Sequence, residues 1–168
     1  MQRLLTLGAC VLLSACVAVV PVPVSMNMPA TAVVSGASEA SQYQAADSFT
    51  DSINAFRRSQ GVGPLKPNAL LTRAAQAHAN DMKARGYFGH RSPGGPNGAT
   101  LLARAQSAGC VVRLAAENIA QGQRTPSEVL TGWANSPGHR SNMLNARMTD
   151  YGLGKAGDIW VLNLSSGC

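Results

Sequence analysis

Two closely spaced helix starts restrict what this chain can fold into more than any other feature of it. Thr125-Pro126-Ser127-Glu128 combines an N-cap residue, proline at the first helical position and glutamate at the third, which together form a capping box. Ser136-Pro137 then opens another helix by the same logic. The helix between them must therefore be short, ending at about Trp133 or Asn135. Beyond the second start come two β-patterned runs, Tyr151-Gly152-Leu153-Gly154-Lys155 and Ile159-Trp160-Val161-Leu162-Asn163-Leu164, on either side of Gly157-Asp158. They read as two strands of a closing hairpin.

Upstream, Phe49, Ile53 and Phe56 form one apolar stripe of a first helix that stops at Gly61. Pro67-Asn68 opens a second helix, with Leu71, Ala75, His78 and Met82 on one line and Gly86 at its end. Residues 87–99 are rich in glycine and proline and read as loop. Thr100 caps a short helix through Ala108, closed by Gly109. Cys110-Val111-Val112-Arg113-Leu114 is β-branched and predicts a strand. Helices followed by interleaved strands imply an α+β fold, a small antiparallel sheet covered by helices.

The first 45 of the 168 residues lie outside that pattern. Met1-Gln2-Arg3 is a short basic start, and the apolar run from Leu4 to Ala15 is too short to span a bilayer. It reads as a secretory signal over residues 1–15. The run ends in Leu13-Ser14-Ala15-Cys16, which looks like a bacterial lipobox, with Cys16 the lipidated residue and mature N-terminus. A cysteine carrying two or three acyl chains stays on the membrane, at about 0.8 kcal/mol per buried methylene. Val17 rather than aspartate follows the cysteine, pointing to the outer membrane in a two-membrane bacterium. Residues 16–45, with Pro21, Pro23 and Pro29, read as a tether reaching roughly 30 Å, and residues 46–168 as the domain.

Of the four cysteines, Cys10 leaves with the signal and Cys16 takes the lipid. Cys110 and Cys168 remain in an oxidising compartment. A Cys110–Cys168 disulfide is the economical pairing, with free thiols or an intermolecular bridge through Cys168 as the alternatives. The formal charge is +6, and +5 once Arg3 is gone. The basic residues are scattered and aromatics make up only 5% of the chain, which argues against nucleic-acid binding. Attraction to anionic head groups or wall polymers fits better, and a monomer is expected.

The domain resembles the CAP family, named for cysteine-rich secretory, antigen and pathogenesis-related proteins, in its small bacterial branch. Five stretches carry the resemblance: Leu71 to Met82, Gly86-Tyr87-Phe88-Gly89-His90, Ala116-Glu117-Asn118-Ile119-Ala120, Trp133 to Leu144, and Gly152-Leu153-Gly154 with Trp160. It implies a three-layer α-β-α sandwich with a cavity lined by two histidines and two acidic residues. His90, Glu117 and His139 match three of those places, and Ser136 stands where a second carboxylate is usual. Glu128 is the nearest alternative, but its capping position already gives it a structural use.

These residues allow several chemistries. His90, His139 and Glu117 could hold Zn²⁺ or another divalent cation as an open three-ligand set. Glu117 needs a partner, for which Arg140 is the expected candidate, unless Arg140 serves a backbone carbonyl instead. At a helix start the dipole would keep His139 neutral. Ser136 and His139 invite a nucleophile–base reading, but an N-cap serine would turn its hydroxyl toward backbone N–H groups and no aspartate is placed to orient His139. His78, on an apolar helix line, reads as a core residue.

The reading that follows is a membrane-tethered envelope protein, leaning away from catalysis, that binds a small lipid-like or sterol-like apolar ligand or a divalent metal. A metal-dependent hydrolase of peptide or envelope polymer using His90, Glu117 and His139 is the runner-up, and a structural or adhesive module comes third.

Overall fold

The computed structural model describes the backbone of residues 36–168 and the side chains of residues 48–168. The expected signal, Cys16 and most of the tether lie outside the described residues. Five helices and four strands follow in the order α1 (Gly36–Ser59), β1 (Lys66–Pro67), α2 (Ala69–Arg85), α3 (Leu101–Ser107), β2 (Ala115–Gln121), α4 (Pro126–Ala134), α5 (Pro137–Met143), β3 (Asp150–Ala156) and β4 (Ile159–Ser165). Helix α1 starts ten residues before the expected boundary at Ala46. Its first ten residues follow the last tether proline, Pro29, and are rich in alanine, glutamine and glutamate, which favour helix.

The strands form one sheet in the order β1-β3-β4-β2, with β3–β4 and β4–β2 antiparallel and the short β1 parallel to β3. Alternation sorts their side chains between two helical layers. Tyr151, Trp160, Leu162 and Leu164 face Phe49 and Ile53 of α1, Val129 and Trp133 of α4, and Met143 of α5. Ile119, Ala156, Ile159 and Val161 face Ala75, Ala79 and Met82 of α2. This is the expected α+β sandwich. Among the described residues no helix is long and apolar enough to cross a membrane.

Helix α2 lies directly on β3 because that strand offers it no side chains. A Cβ at Gly152 would sit 2.1 Å from the backbone at Leu71 and Thr72, and one at Gly154 would sit 2.4 Å from Ala75 and Gln76. The sequence predicted the ends of α2 well. Asn68 caps its start by accepting from the Leu70 and Leu71 N–H groups, and Gly86, at φ +66°, ends it.

The strand expected at residues 110–114 is absent, and β2 begins at Ala115. The ladder with β4 ends at the Ala115–Ser165 pair, so the β-branched residues before it have no strand to join. Val111 accordingly stands 74% exposed. Strand preference records packing on a sheet, which is lacking there. Instead Cys110 is buried and joined to Cys168 by a disulfide spanning 58 residues. Closing a loop of that length stabilises the fold by about 4 kcal/mol.

A cation in the core went unanticipated. Arg57 is 1% exposed and donates to the carbonyls of Gly63, Met143, Asn145 and Met148 at 2.6–3.2 Å. Burial lowers its pKa. The side chain thereby ties the turn after α5 to α1.

Candidate functional site

The site is built outward from Glu117. Its position in β2, opposite Asn163 of β4, turns it toward α2, where its side chain is only 4% exposed. A carboxylate buried to that degree requires partners, and it has three. Arg104 Nη2 donates to Oε2 at 2.6 Å, and His90 Nδ1 meets Oε1 at 3.0 Å. With its amide oriented so that both ends are satisfied, Asn163 donates to Oε2 at 3.1 Å and accepts from the Ala75 N–H.

Arg104 takes the place expected for Arg140. Arg140 donates instead to the Ala134 carbonyl and to Gln60, with its guanidinium over the Phe56 ring. The signal for Arg104 was present but oblique, in that Arg104 and Ala105 share the buried side of the seven-residue α3.

His90 sits on the loop after α2, with its side chain 56% exposed. The loop is clamped at Asp81, which accepts from Tyr87 Oη at 2.5 Å, from Ser92 Oγ and from Arg85. Burial alone would raise the pKa of Asp81, but the hydrogen bonds from Ser92, Tyr87 and Arg85 outweigh it and hold the carboxyl below its ordinary value. Arg104 secures the same loop by donating to the His90 carbonyl at 3.2 Å. One guanidinium thus positions both the carboxylate and the histidine that meets it.

His78 is fully buried, as its place on the apolar line of α2 implied. Its Nε2 lies 3.0 Å from the Gly89 carbonyl, an acceptor, so this nitrogen carries the proton. The same nitrogen is 3.8 Å from Glu117 Oε1, which puts His78 beneath the site as a support. Burial lowers its pKa, against the opposing pull of Glu117.

His139 comes from the first turn of α5 and is half-buried. Asn118, beside Glu117 but on the opposite face of the sheet, donates to the His139 carbonyl at 3.0 Å and accepts from Asn142 at 2.9 Å. The pKa of the His139 ring is lowered, first by burial and then by the charge of His90. The two imidazoles therefore lie within electrostatic reach of one another. The neutral form expected for His139 follows, with burial and His90 as its causes.

Ser136 has N-cap dihedrals but makes no side-chain cap hydrogen bond, contrary to expectation. No hydrogen bond joins it to His139 among the described residues, so the two do not form a nucleophile–base pair. Glu128 plays the capping part assigned to it, accepting from the Arg124 N–H at 2.9 Å, one residue before the N-cap nitrogen.

The expected three-ligand metal set takes a different form. Among the described residues no three His, Cys, Asp or Glu side chains converge to hold an ion. Glu117 stands behind His90 with both oxygens engaged, while His90 Nε2 is left outward. A carboxylate on the far nitrogen of an imidazole is the usual outer support of a metal-binding histidine, and Glu117 takes that place at His90. A hollow of about 60 Å³ lies between α2 and α3, and none of His90, Glu117, Ser136 or His139 lines it. Pockets for drug-sized ligands run to roughly 300–1,000 Å³.

The model of the cysteine-rich secretory protein family, CAP, matches residues 50–161. An uncharacterised protein of Bacillus subtilis, YkwD, is 42% identical over 109 residues, 64% of this chain and 41% of its own length. An extracellular protein containing an SCP domain, from Bacillus anthracis, superposes with a TM-score of 0.67 at 33% identity, over 71% of this chain and 39% of that one. An outer surface protein of Borrelia burgdorferi shares the fold at 20% identity and a TM-score of 0.63, over 74% of this chain and 94% of that one. The chain spans less than half the length of the two Bacillus relatives.

Proposed function

This chain belongs to the cysteine-rich secretory protein (CAP) family, and on that premise we propose that it is an exported envelope protein whose domain binds a divalent cation through His90 and His139. The observation that carries the reading is the Arg104–Glu117–His90 chain of hydrogen bonds. It turns one imidazole nitrogen outward, within electrostatic reach of His139. Zinc suits such donors, and solvent or a partner group would complete its coordination. Two protein ligands make a weak, exchangeable site, which is a binding device more than a structural one. When bound, the ion would supply a positive centre for an anionic group. The chain's own residues hold His90 in place through Glu117, and burial favours the neutral form of His139.

Catalysis fits less well, because Glu117 is occupied by three donors and Ser136 stands where a second carboxylate would be needed. The hollow between α2 and α3, at about 60 Å³, is too small for a lipid-sized ligand. Export is supported by the Cys110–Cys168 disulfide, which calls for an oxidising compartment. The anchor is the acylated Cys16, so Cys16→Ser should release the protein from membranes. The binding role is tested with a panel of peptide, ester and cell-wall substrates. No turnover should depend on His139, and hydrolysis that vanished in His139→Ala would overturn it.

A further inference from the structure

The sheet order β1-β3-β4-β2 leaves β2 with one edge paired and one edge open. Hydrogen bonds just beyond each end of the β2–β4 ladder fix which residues face the opening. The Ser166 N–H donates to the Leu114 carbonyl, and the Gly122 N–H donates to the Asp158 carbonyl. Bonding alternates along an antiparallel pair, so the even-numbered residues of β2 bond to β4. Ala115, Glu117, Ile119 and Gln121 then turn their N–H and C=O groups away from it. Trp133 agrees with this parity, since its Nε1 reaches the Ile119 carbonyl from outside at 3.3 Å. Among the described residues no hydrogen bond engages the N–H or C=O of Ala115 or Glu117, or the N–H of Ile119. These groups are accessible. Ala115 and Ala116 are half-buried, and Glu117 is 8% exposed as a residue but 4% in its side chain, so its main chain is the more exposed part.

We propose that this open edge takes an extended, acidic peptide of another protein as a fifth strand. Free main-chain groups along a strand edge are the template for such pairing, and the peptide backbone supplies the missing partners. Charge selects the peptide. Between Asp81 and Glu128 the sequence has six lysines and arginines but one acid, Glu117, and residues 129–149 add two arginines and no acid. Glu117 is already matched by Arg104. Arg91, next to His90, and Arg113, two residues before the strand, are exposed, and no ion pair or hydrogen bond engages either among the described residues. Carboxylates on the incoming strand would balance them. Its side chains alternate, so the residue opposite Glu117 lies on the His90 face of the sheet and its neighbours on the α5 face. A second copy of this chain fits worse, because it would set one basic edge against another. The proposal goes beyond the cation reading and does not need it, so its test contains no metal.

The test titrates the acetylated, amidated pentapeptide Glu-Val-Thr-Val-Glu into the metal-free protein and follows its backbone amides by NMR. The Ala115, Glu117 and Ile119 signals should shift together, with an affinity of about 0.1–1 mM. The same peptide with lysine for both glutamates should bind at least about tenfold more weakly, and one with every peptide nitrogen methylated should not bind. Ala115→Pro removes an outward N–H that β4 does not use, at the first residue of an edge strand, where proline is tolerated. It should weaken binding about fivefold or more. The double variant Arg91→Gln, Arg113→Gln should weaken it about tenfold, and carries the test if Ala115→Pro fails to fold. Amides unmoved by the acidic peptide, or moved equally by the lysine or methylated peptide, overturn the proposal. Signals that shift on dilution of the protein alone overturn it in favour of a second copy. A protein that binds no zinc leaves each of these results unchanged, so the two readings fail separately.

Discussion

Replacing Arg104 by methionine should destabilise the domain mainly through what it does to Glu117. The two side chains are 1% and 4% exposed and meet at 2.6 Å. Removing one partner of such a pair leaves the other charge buried, at about 3–5 kcal/mol. The weaker hydrogen bonds from Arg104 to the His90 and Ala99 carbonyls add to the loss. Glu117→Gln alone keeps an acceptor for Arg104 but removes its counter-charge, so about 2–3 kcal/mol is expected. In the double variant neither charge remains to be stranded, and the two effects should fall short of additivity by about 2 kcal/mol. Urea unfolding of the disulfide-intact protein, followed by the buried Trp133 and Trp160, gives all four stabilities. A coupling below about 0.5 kcal/mol would refute the reasoning, because it would mean that Arg104 acts by packing and that Glu117 is held by other groups.

Gly152→Ala should cost about 3 kcal/mol or more, the upper range for overpacking, because the new Cβ meets the α2 backbone at 2.1 Å and no flexible side chain can yield; thermal unfolding checks it, and a change below about 1 kcal/mol would show that α2 can lift off the sheet. Stability should also fall as pH drops below the ordinary histidine value of 6.5. The buried His78 and half-buried His139 have lowered folded-state pKa values, so in that window the unfolded chain takes up protons that the native state refuses. Each contributes at most about 1.4 kcal/mol per pH unit, present in full above pH 6.5 and lost as pH falls toward the folded pKa. Stability measured between neutral pH and the onset of carboxylate titration should show this slope, and His78→Gln should flatten it; an unchanged slope would remove His78 as its source.

What could be read in the sequence was whatever depends on local chemistry. Asn68 and Gly86 bound α2, Thr125 and Pro126 start α4, and Gly157 turns the β3–β4 hairpin, because caps and turns are settled within a few residues. The strand misplaced at residues 110–114 shows the limit. Val111 and Val112 are better strand formers than Ala115 and Ala116, but only the latter lie opposite β4. The site divides in the same way. His90, Glu117 and His139 were singled out through the family pattern that Phe88-Gly89-His90 and Glu117-Asn118 carry, and the structure joins the first two by a hydrogen bond. Their arrangement was not. The partner of Glu117 comes from α3, which packs beside α2, the helix that lies on the two glycines of β3. Arg104 and Asn163 are set by register and packing, and no local motif announces either.

The account rests on His90 and His139 acting together as a ligand pair with Glu117 behind them, and a calorimetric titration of Zn²⁺ into the metal-free domain tests this most directly. One ion per chain should bind. His90→Ala and His139→Ala should each weaken binding at least about tenfold, and Glu117→Gln by about 10–100-fold, as expected for the loss of an outer support. A wild-type domain that takes up no zinc, or one whose affinity is untouched by His139→Ala, would contradict the account.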